Sequence, residues 1–270
     1  MTELPDDKTI LATIEPLALA AGRRIMDVFA AGCPTETKSD DSPVTVADRD
    51  AEVIILEGLR SAFPSVPIIA EEEAEAGKCP TSTGDLFFLV DPLDGTREFV
   101  NRRTDFTVNI ALVRDGVPVL GVVYAPALNT LYAGRPGHAE MVVTDAGHDA
   151  TERKQIVVRD SGDPITIVAS RSHRTAETDA FIARYGSADL VSVGSSLKFC
   201  MLAAGSADLY PRFGRTMQWD TAAGDAVLRA AGGTMTMVDG QPFYYGKGRV
   251  AGDADFANPH FVAEGRIAKA

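Results

Sequence analysis

Residues 85–99 read DLFFLVDPLDGTREF, and the parsing of this stretch decides the fold. Leu86 to Val90 is an unbroken apolar run of strand length, which predicts a buried strand that delivers Asp91 to the end of a sheet. A tight loop must follow. Pro92 fixes one backbone dihedral, Gly95 permits a positive one, and Thr96 can open a helix whose free N–H groups face an anion. Asp91 and Asp94 then project from one turn. Turn preference alone also selects Asp-Pro-x-Asp-Gly, so by itself the stretch supports a plain connection as well as a site.

Working outward, FTVNIALV, a turn at Arg114, Asp115 and Gly116, PVLGVVYAP and TLYAG run on from Phe106 and predict a meander of antiparallel strands. Upstream, apolar residues from Ile10 to Phe29 recur at three- and four-residue steps and predict an amphipathic helix that Gly32 closes. Pro16 predicts a kink in it or a start near that residue. A second helix is expected from about Val46 to Phe63, with Val46, Ala47, Ile54, Ile55, Leu59 and Phe63 on its buried side. Beyond a Gly-, Asp- and His-rich stretch from Gly134 to Arg153, β-branched runs (ITIVAS, DLVSVG) alternate with helical segments (SLKFCMLAAG, TAAGDAVLRAAGG). Two lobes are therefore expected, residues 1–145 as an α+β unit and residues 146–270 as an α/β unit.

The 270 residues are 45% hydrophobic and 24% charged, the balance of a chain that folds unaided. A net charge of -12 disfavours a nucleic-acid partner, because no basic stripe offsets the repulsion. A small anion could still be held, by metal ions or a few placed Lys and Arg. Cys33, Cys79 and Cys200 are odd in number and widely spaced, which suits reduced thiols and a cytoplasmic setting. Neither an export signal nor an apolar run of membrane-spanning length is found in the sequence, so no integral membrane contact is expected.

Three further acidic groups accompany Asp91 and Asp94. Glu71, Glu72 and Glu73 follow the apolar run VPIIA, so Glu71 stands at a strand end, although such a charge run alone reads as a surface loop. Asp220, in QWDTAAGDAVLRAAGG, sits where a helix N-cap belongs, and the Ala and Gly residues after it allow close helix packing. Asp48 and Asp50 lie in the first turn of the second helix, where the helix dipole already favours acid. Carboxylates about 4 Å apart repel by roughly 4 kcal/mol at an effective dielectric near 20, so a converging set needs cations or protons. Oxygen ligands of this kind suit Mg2+ better than zinc.

DPLDGT, the upstream Glu-Glu, VTVAD and WDTAAG, in their order and separations, resemble the inositol monophosphatase superfamily of lithium-sensitive, magnesium-dependent phosphatases. DPLDGTREFVNRRTDFTVNIALV and GSSLKFCMLAAGSADLYPRFGRTMQWDTAAG look like the bacterial 3'(2'),5'-bisphosphate nucleotidases within it, which serve sulfur metabolism. The resemblance implies a layered α/β/α/β/α sandwich, antiparallel sheet first and mixed sheet second. It implies removal of the 3'-phosphate of adenosine 3',5'-bisphosphate to leave AMP, with two or three Mg2+ ions. Glu71, Asp91 and the Leu93 carbonyl would hold the first ion, and Asp91, Asp94 and Asp220 the second. Glu71 and Thr96 would position the attacking water, Asp48 would order it from outside, and the Gly95 and Thr96 amides would hold the phosphate. Leu93, Asp94 and Asp220 would also face the substrate, with Ser195, Lys198, Arg212 and His173 as nucleotide contacts. Without the resemblance, Lys198 reads as a solvated helix residue, Arg212 as a surface strand end and His173 as a polar loop residue. A DxDGT aspartyl-phosphate mechanism is excluded, because its nucleophile position is Pro92. Two rivals stay open, an inositol or sugar phosphatase on the same scaffold and a non-catalytic nucleotide-binding or metal-sensing module. A homodimer and a peripheral contact with the inner membrane stay open as well.

Overall fold

The computed structural model describes residues 4–32, 34–37, 43–170 and 174–267. Helix α1 (Asp7–Ala31) begins where Asp6 accepts the Thr9 amide at 2.7 Å, two turns before Pro16, so the proline lies inside the helix and does not start it. One missing backbone bond is tolerated because the apolar face on both sides of Pro16 is buried. Gly32, at φ 72°, closes the helix by donating to the Val28 carbonyl. A two-stranded ribbon, β1 (Glu36–Thr37) and β2 (Pro43–Val44), leads into helix α2 (Val46–Ala62). Ala47, Ala51, Ile55 and Leu59 form its buried stripe. Val46 does not join that stripe as expected. It sits one position off the four-residue row and is 42% exposed.

The larger sheet contains β3 (Ile68–Ala70), β4 (Leu86–Asp94), β5 (Thr107–Arg114), β6 (Val117–Ala125), β7 (Thr130–Arg135), β8 (His138–Thr144) and β9 (Ala150–Gln155), in that spatial order. Only β3 and β4 run parallel, and every other neighbour pair is antiparallel, as a meander of short turns dictates. Short helices α3 (Glu71–Glu75) and α4 (Thr96–Val100) follow β3 and β4. The smaller sheet is built from β10 (Thr166–Ser170), β11 (Asp189–Val193), β12 (Leu209–Arg212), β13 (Thr234–Met237) and β14 (Phe261–Glu264), in the order β11-β10-β12-β14-β13. It is mixed, with β10 parallel to both of its neighbours and β14 antiparallel to both of its own. Helices α5 (Ala176–Ile182), α6 (Leu197–Ala203) and α7 (Gln218–Ala230) complete the chain.

Alternation along the strands divides the interior into two cores. Phe88, Val90, Ile110 and Val122 face α1 and α2, whereas Phe87, Leu89, Ala111 and Val123 face α6, α7 and the smaller sheet. Helix α5 lies against β12. The result is the α/β/α/β/α layering. A boundary after residue 145 would fall between β8 and β9, which pair with each other; we would divide the lobes between Gln155 and Thr166, where one sheet gives way to the next. Among the described residues no helix is long and apolar enough to cross a membrane.

Candidate active site

The strand at 86–90 continues to Asp94, past the expected end at Val90, because Pro92 and Leu93 are accommodated as an irregularity in the ladder. Asp91 pairs with Asn109 and Asp94 with Thr107, and the register shifts between them. The Leu93 amide donates to Asp91 Oδ1 at 3.0 Å, which fixes the carboxylate over its own loop. Gly95 stands at φ 99°, where a side chain is strained, and an added Cβ would press on Asp105 and Phe106 at 3.3 Å. Thr96 then opens α4, as the sequence predicts.

Three other elements bring acid to the same place. Glu71 is the first residue of a helical turn, not of a loop, and the start of α3 lacks a cap from its own chain neighbours. Glu52, one turn beyond Asp48 on α2, supplies it: its carboxylate accepts the amides of Glu72 and Glu73 at 2.9 and 3.0 Å. Burial, opposed by these amides, pushes the Glu52 carboxyl up to about 7. Asp48, 2% exposed, accepts the Thr45 amide and hydroxyl through Oδ2 and the Thr96 hydroxyl through Oδ1 at 2.9 Å. The same hydroxyl lies 3.2 Å from the Leu93 carbonyl. Asp220 is not the N-cap of α7. Met217 holds that position, and Asp220, three residues in, accepts the Met217 amide at 2.9 Å.

Glu71, Asp91, Leu93, Asp94, Gly95, Thr96 and Asp220 line a single cavity of about 270 Å³, and Ser195, Lys198 and Arg212 line it from the second lobe. Lys198 and Arg212 are not surface residues. They are 4% and 6% exposed, because the loop carbonyls around them replace water. Lys198 Nζ donates to the carbonyls of Ser195 and Val193 and lies 5.3 Å from the Tyr210 ring centre. Arg212 donates to the carbonyls of Gly214 and Arg215 at 3.0 and 2.8 Å. His173 lies outside the described residues.

Charge is crowded here. Burial, then the negative charges of Glu71, Asp94 and Asp220, hold the Asp91 carboxyl far above the usual carboxylate range, and Glu71 also hydrogen-bonds it. Burial and then Asp94 push Asp220 up to about 7. Asp94 is raised by burial, against the pull of Lys198, Ser196 and Asn109. Lys198 is brought down to about 8 by burial, against the pull of Asp94. Carboxylates in this state call for a cation or for protons. Among the described residues no three acidic, His or Cys side chains form a ready-made metal cage. The oxygen-only donor set still fits Mg2+, a hard cation that keeps several waters and completes its shell with substrate phosphate, so the side chains need not close into a cage by themselves.

Sequence reasoning did not pick out Glu52, Asn109, Ser196, Arg97 or Arg215, the last two of which line the same cavity. A signal existed for Asn109, a carboxamide inside the apolar run FTVNIALV, where a buried polar group is expensive unless it has work to do.

Residues 6–270 match the model of the inositol monophosphatase family. The 3'(2'),5'-bisphosphate nucleotidase CysQ of Escherichia coli K12 is 45% identical over 231 residues, 85% of this chain and 91% of the relative. That of Salmonella typhimurium is 47% identical over 225 residues, 83% and 88% of the two chains. The crystal structure of CysQ from Bacteroides thetaiotaomicron superposes with a TM-score of 0.78 at 35% identity, covering 96% of this chain and 98% of that one. Inositol monophosphatase from Anabaena gives 0.70 at 26% identity, covering 96% and 92%.

Proposed function

The chain belongs to the inositol monophosphatase family, and we propose that within it the protein is a Mg2+-dependent 3'(2'),5'-bisphosphate nucleotidase that converts adenosine 3',5'-bisphosphate to AMP and phosphate. One observation carries this reading. Four carboxylates, from β4 and α3 of the first lobe and α7 of the second, share one cavity with two buried cations of the second lobe, so both a metal and an anionic nucleotide have partners there.

We assign Glu71, Asp91 and the Leu93 carbonyl to one Mg2+ and Asp91, Asp94 and Asp220 to a second. When bound, the ions supply the Lewis acidity that makes water nucleophilic at neutral pH and offsets charge on the phosphoryl oxygens. The chain's own groups do the rest. Thr96 has a single hydroxyl proton, and the Asp48 carboxylate is a stronger acceptor for it than the Leu93 carbonyl. Held this way, the hydroxyl turns a lone pair toward the cavity, where it accepts from the attacking water and orients it beside Glu71. Amides of Gly95 and Thr96, at the open start of α4, hold phosphate oxygens without adding charge. Water oxygen bonds to phosphorus in line as the bond to the ribose 3'-oxygen breaks, and a proton from that water goes to the departing 3'-oxygen, giving the AMP hydroxyl and phosphate. Lys198, Arg212 and Ser195 bind the nucleotide from the second lobe. The thiols of Cys79 and Cys200 are free, which supports a reducing, cytoplasmic setting.

Phosphate release with Mg2+ from adenosine 3',5'-bisphosphate and from inositol 1-phosphate tests the assignment. The expected result is a kcat/KM at least about 100-fold higher for the nucleotide, since its second phosphate and base add contacts the inositol ester lacks. A preference for the inositol ester, or nucleotide binding without turnover, would reject it.

A further inference from the structure

Behind the cavity floor a neutral contact joins the two lobes. Asn109 sits in the middle of β5, wholly buried between Val108 and Ile110. Its carboxamide nitrogen reaches Ser196 Oγ at 3.0 Å and Asp94 Oδ2 at 3.4 Å. Ser196, 1% exposed ahead of α6, donates its hydroxyl to the backbone carbonyl of Asp220, and its backbone N–H hydrogen-bonds Asp94. These two small side chains therefore touch both β4 and α7 at their acidic residues.

Such a carboxamide is costly in this place. Its oxygen has no hydrogen-bond partner among the described residues, and Leu or Val would fill the apolar strand without that cost. What the amide offers is its NH2 group, whose two hydrogens serve Asp94 and Ser196. The orientation is set by chemistry, because a carboxylate can only accept, so the nitrogen must face it. An Asp at this position would instead set another carboxylate against Asp94.

We propose that Asn109 and Ser196 are positioning residues for the metal site, a neutral bracket that fixes the separation of Asp94 and Asp220 so that both can bind one ion. The proposal rests on the ligand assignment given above. Two carboxylates on separate elements repel, and left to themselves they would relax apart and have to be drawn together at each binding event. Loss of such outer partners of metal ligands typically weakens binding by about 10- to 100-fold.

The test is calorimetric titration of Mg2+ into the full-length protein without nucleotide. Asn109→Leu, similar in volume but without donors, and Ser196→Ala should each raise the Mg2+ dissociation constant roughly tenfold or more. The double variant should be little worse than either single one, since both remove the same bracket. The gain in Tm on adding Mg2+ should shrink in parallel. If these residues only packed the interior, the Tm of metal-free and Mg2+-loaded protein would fall equally while the affinity held. That outcome, or fully additive losses, overturns the proposal. Should Asn109→Leu not fold, Asn109→Ser removes the reach to Asp94 and is read the same way. Asp94→Asn serves as the reference: unchanged Mg2+ affinity there would reject the ligand assignment itself, whereas weakened affinity there with normal affinity in Asn109→Leu rejects the bracket alone.

Discussion

Gly121→Ala should disable the site from beneath helix α7. Gly121 lies in β6 under helix α7, and a Cβ added to it would stand 2.3 Å from the Ala223 carbonyl oxygen and 2.8 Å from Ala226 Cβ. The first obstacle is helix backbone, which cannot rotate away as a side chain does. Restoring ordinary contact, which starts near 3.4 Å, requires α7 to rise by about 1 Å. Overpacking of this kind costs about 1–3 kcal/mol, and with a backbone obstacle the upper half of that range applies. At roughly 2–4 °C per kcal/mol for a chain of this size, Tm should fall by about 5–10 °C. Asp220, one turn nearer the N-terminus of the same helix, moves with it, and a displacement near 1 Å in a reacting constellation costs about 100-fold in rate. Steady-state phosphate release at saturating Mg2+ should therefore show kcat down about 100-fold. KM for the nucleotide should stay within about threefold, because Lys198 and Arg212 are carried by α6 and β12. Adding Ala226→Gly should not rescue the variant, since the Ala223 carbonyl remains in the way. A Gly121→Ala protein with unchanged melting and unchanged kcat would show that α7 is not seated on β6 as described.

Lys198→Ala should raise KM for the bisphosphate about 10- to 100-fold with a smaller effect on kcat, the worth of one charge-assisted contact, as steady-state kinetics would show. Asp220→Asn should abolish activity yet stabilise the metal-free protein. The folded carboxyl near 7 exceeds its ordinary 3.8, so the unfolded chain sheds that proton first and metal-free stability declines as pH rises between about 4 and 7. Removing that decline should give a variant that melts about 3 °C or more above wild type at pH 8 in chelator, with a smaller gain from Mg2+. For Glu52 the sign is the same, with its window between about 4.5 and 7: stability is lost as pH rises through it and is level above. Melting curves of Glu52→Gln across that window should be flatter than those of wild type, and at Mg2+ saturation kcat should fall, because Gln offers one acceptor oxygen to two amides of α3.

Local chemistry made the centre of the molecule legible. Pro92, Gly95 and the apolar run before Asp91 state a strand, a bend and a helix start in consecutive residues, and the structure departs from them only in carrying the strand on to Asp94 through an irregularity in the ladder. The Ala and Gly residues after Asp220 announce a close approach, and Gly121 against Ala223 and Gly224 against Phe199 show where it occurs. What stayed hidden depends on partners remote in the chain. Nothing near Lys198 reveals that loop carbonyls will wrap its ammonium group, and nothing near Glu52 reveals that it will cap a helix twenty residues on. Acid is common at an N-cap, so the local sequence around Asp220 points to that position. The actual cap, Met217, contributes only its backbone, which leaves no trace in composition. The strand end at Glu71 was legible in the VPIIA run before it, but its seat on a helical turn capped by the carboxylate of Glu52 is a long-range feature.

A net charge of -12 is hard to reconcile with a substrate carrying two phosphates unless the field is reversed locally. The arrangement of cations shows how far the chain goes by itself. Lys198 and Arg212 are both buried at the cavity, but their hydrogens are largely engaged by carbonyls, and the Lys198 charge is already met by Asp94. Set against Glu71, Asp91, Asp94, Glu98 and Asp220, the four cations that line the cavity, Arg97, Lys198, Arg212 and Arg215, still leave a net negative charge. Divalent cations held by the carboxylates of β4, α3 and α7 would offset that charge where a phosphoryl group is to be bound. Lys198 faces Asp94, and both Lys198 and Arg212 face Asp220, so these cations would meet the nucleotide beside the ions and not apart from them. Because α7 of the second lobe supplies Asp220 to the carboxylates of β4 and α3, the proposed metal site needs both lobes in register, whereas the proposed nucleotide contacts Ser195, Lys198 and Arg212 come from the second lobe alone.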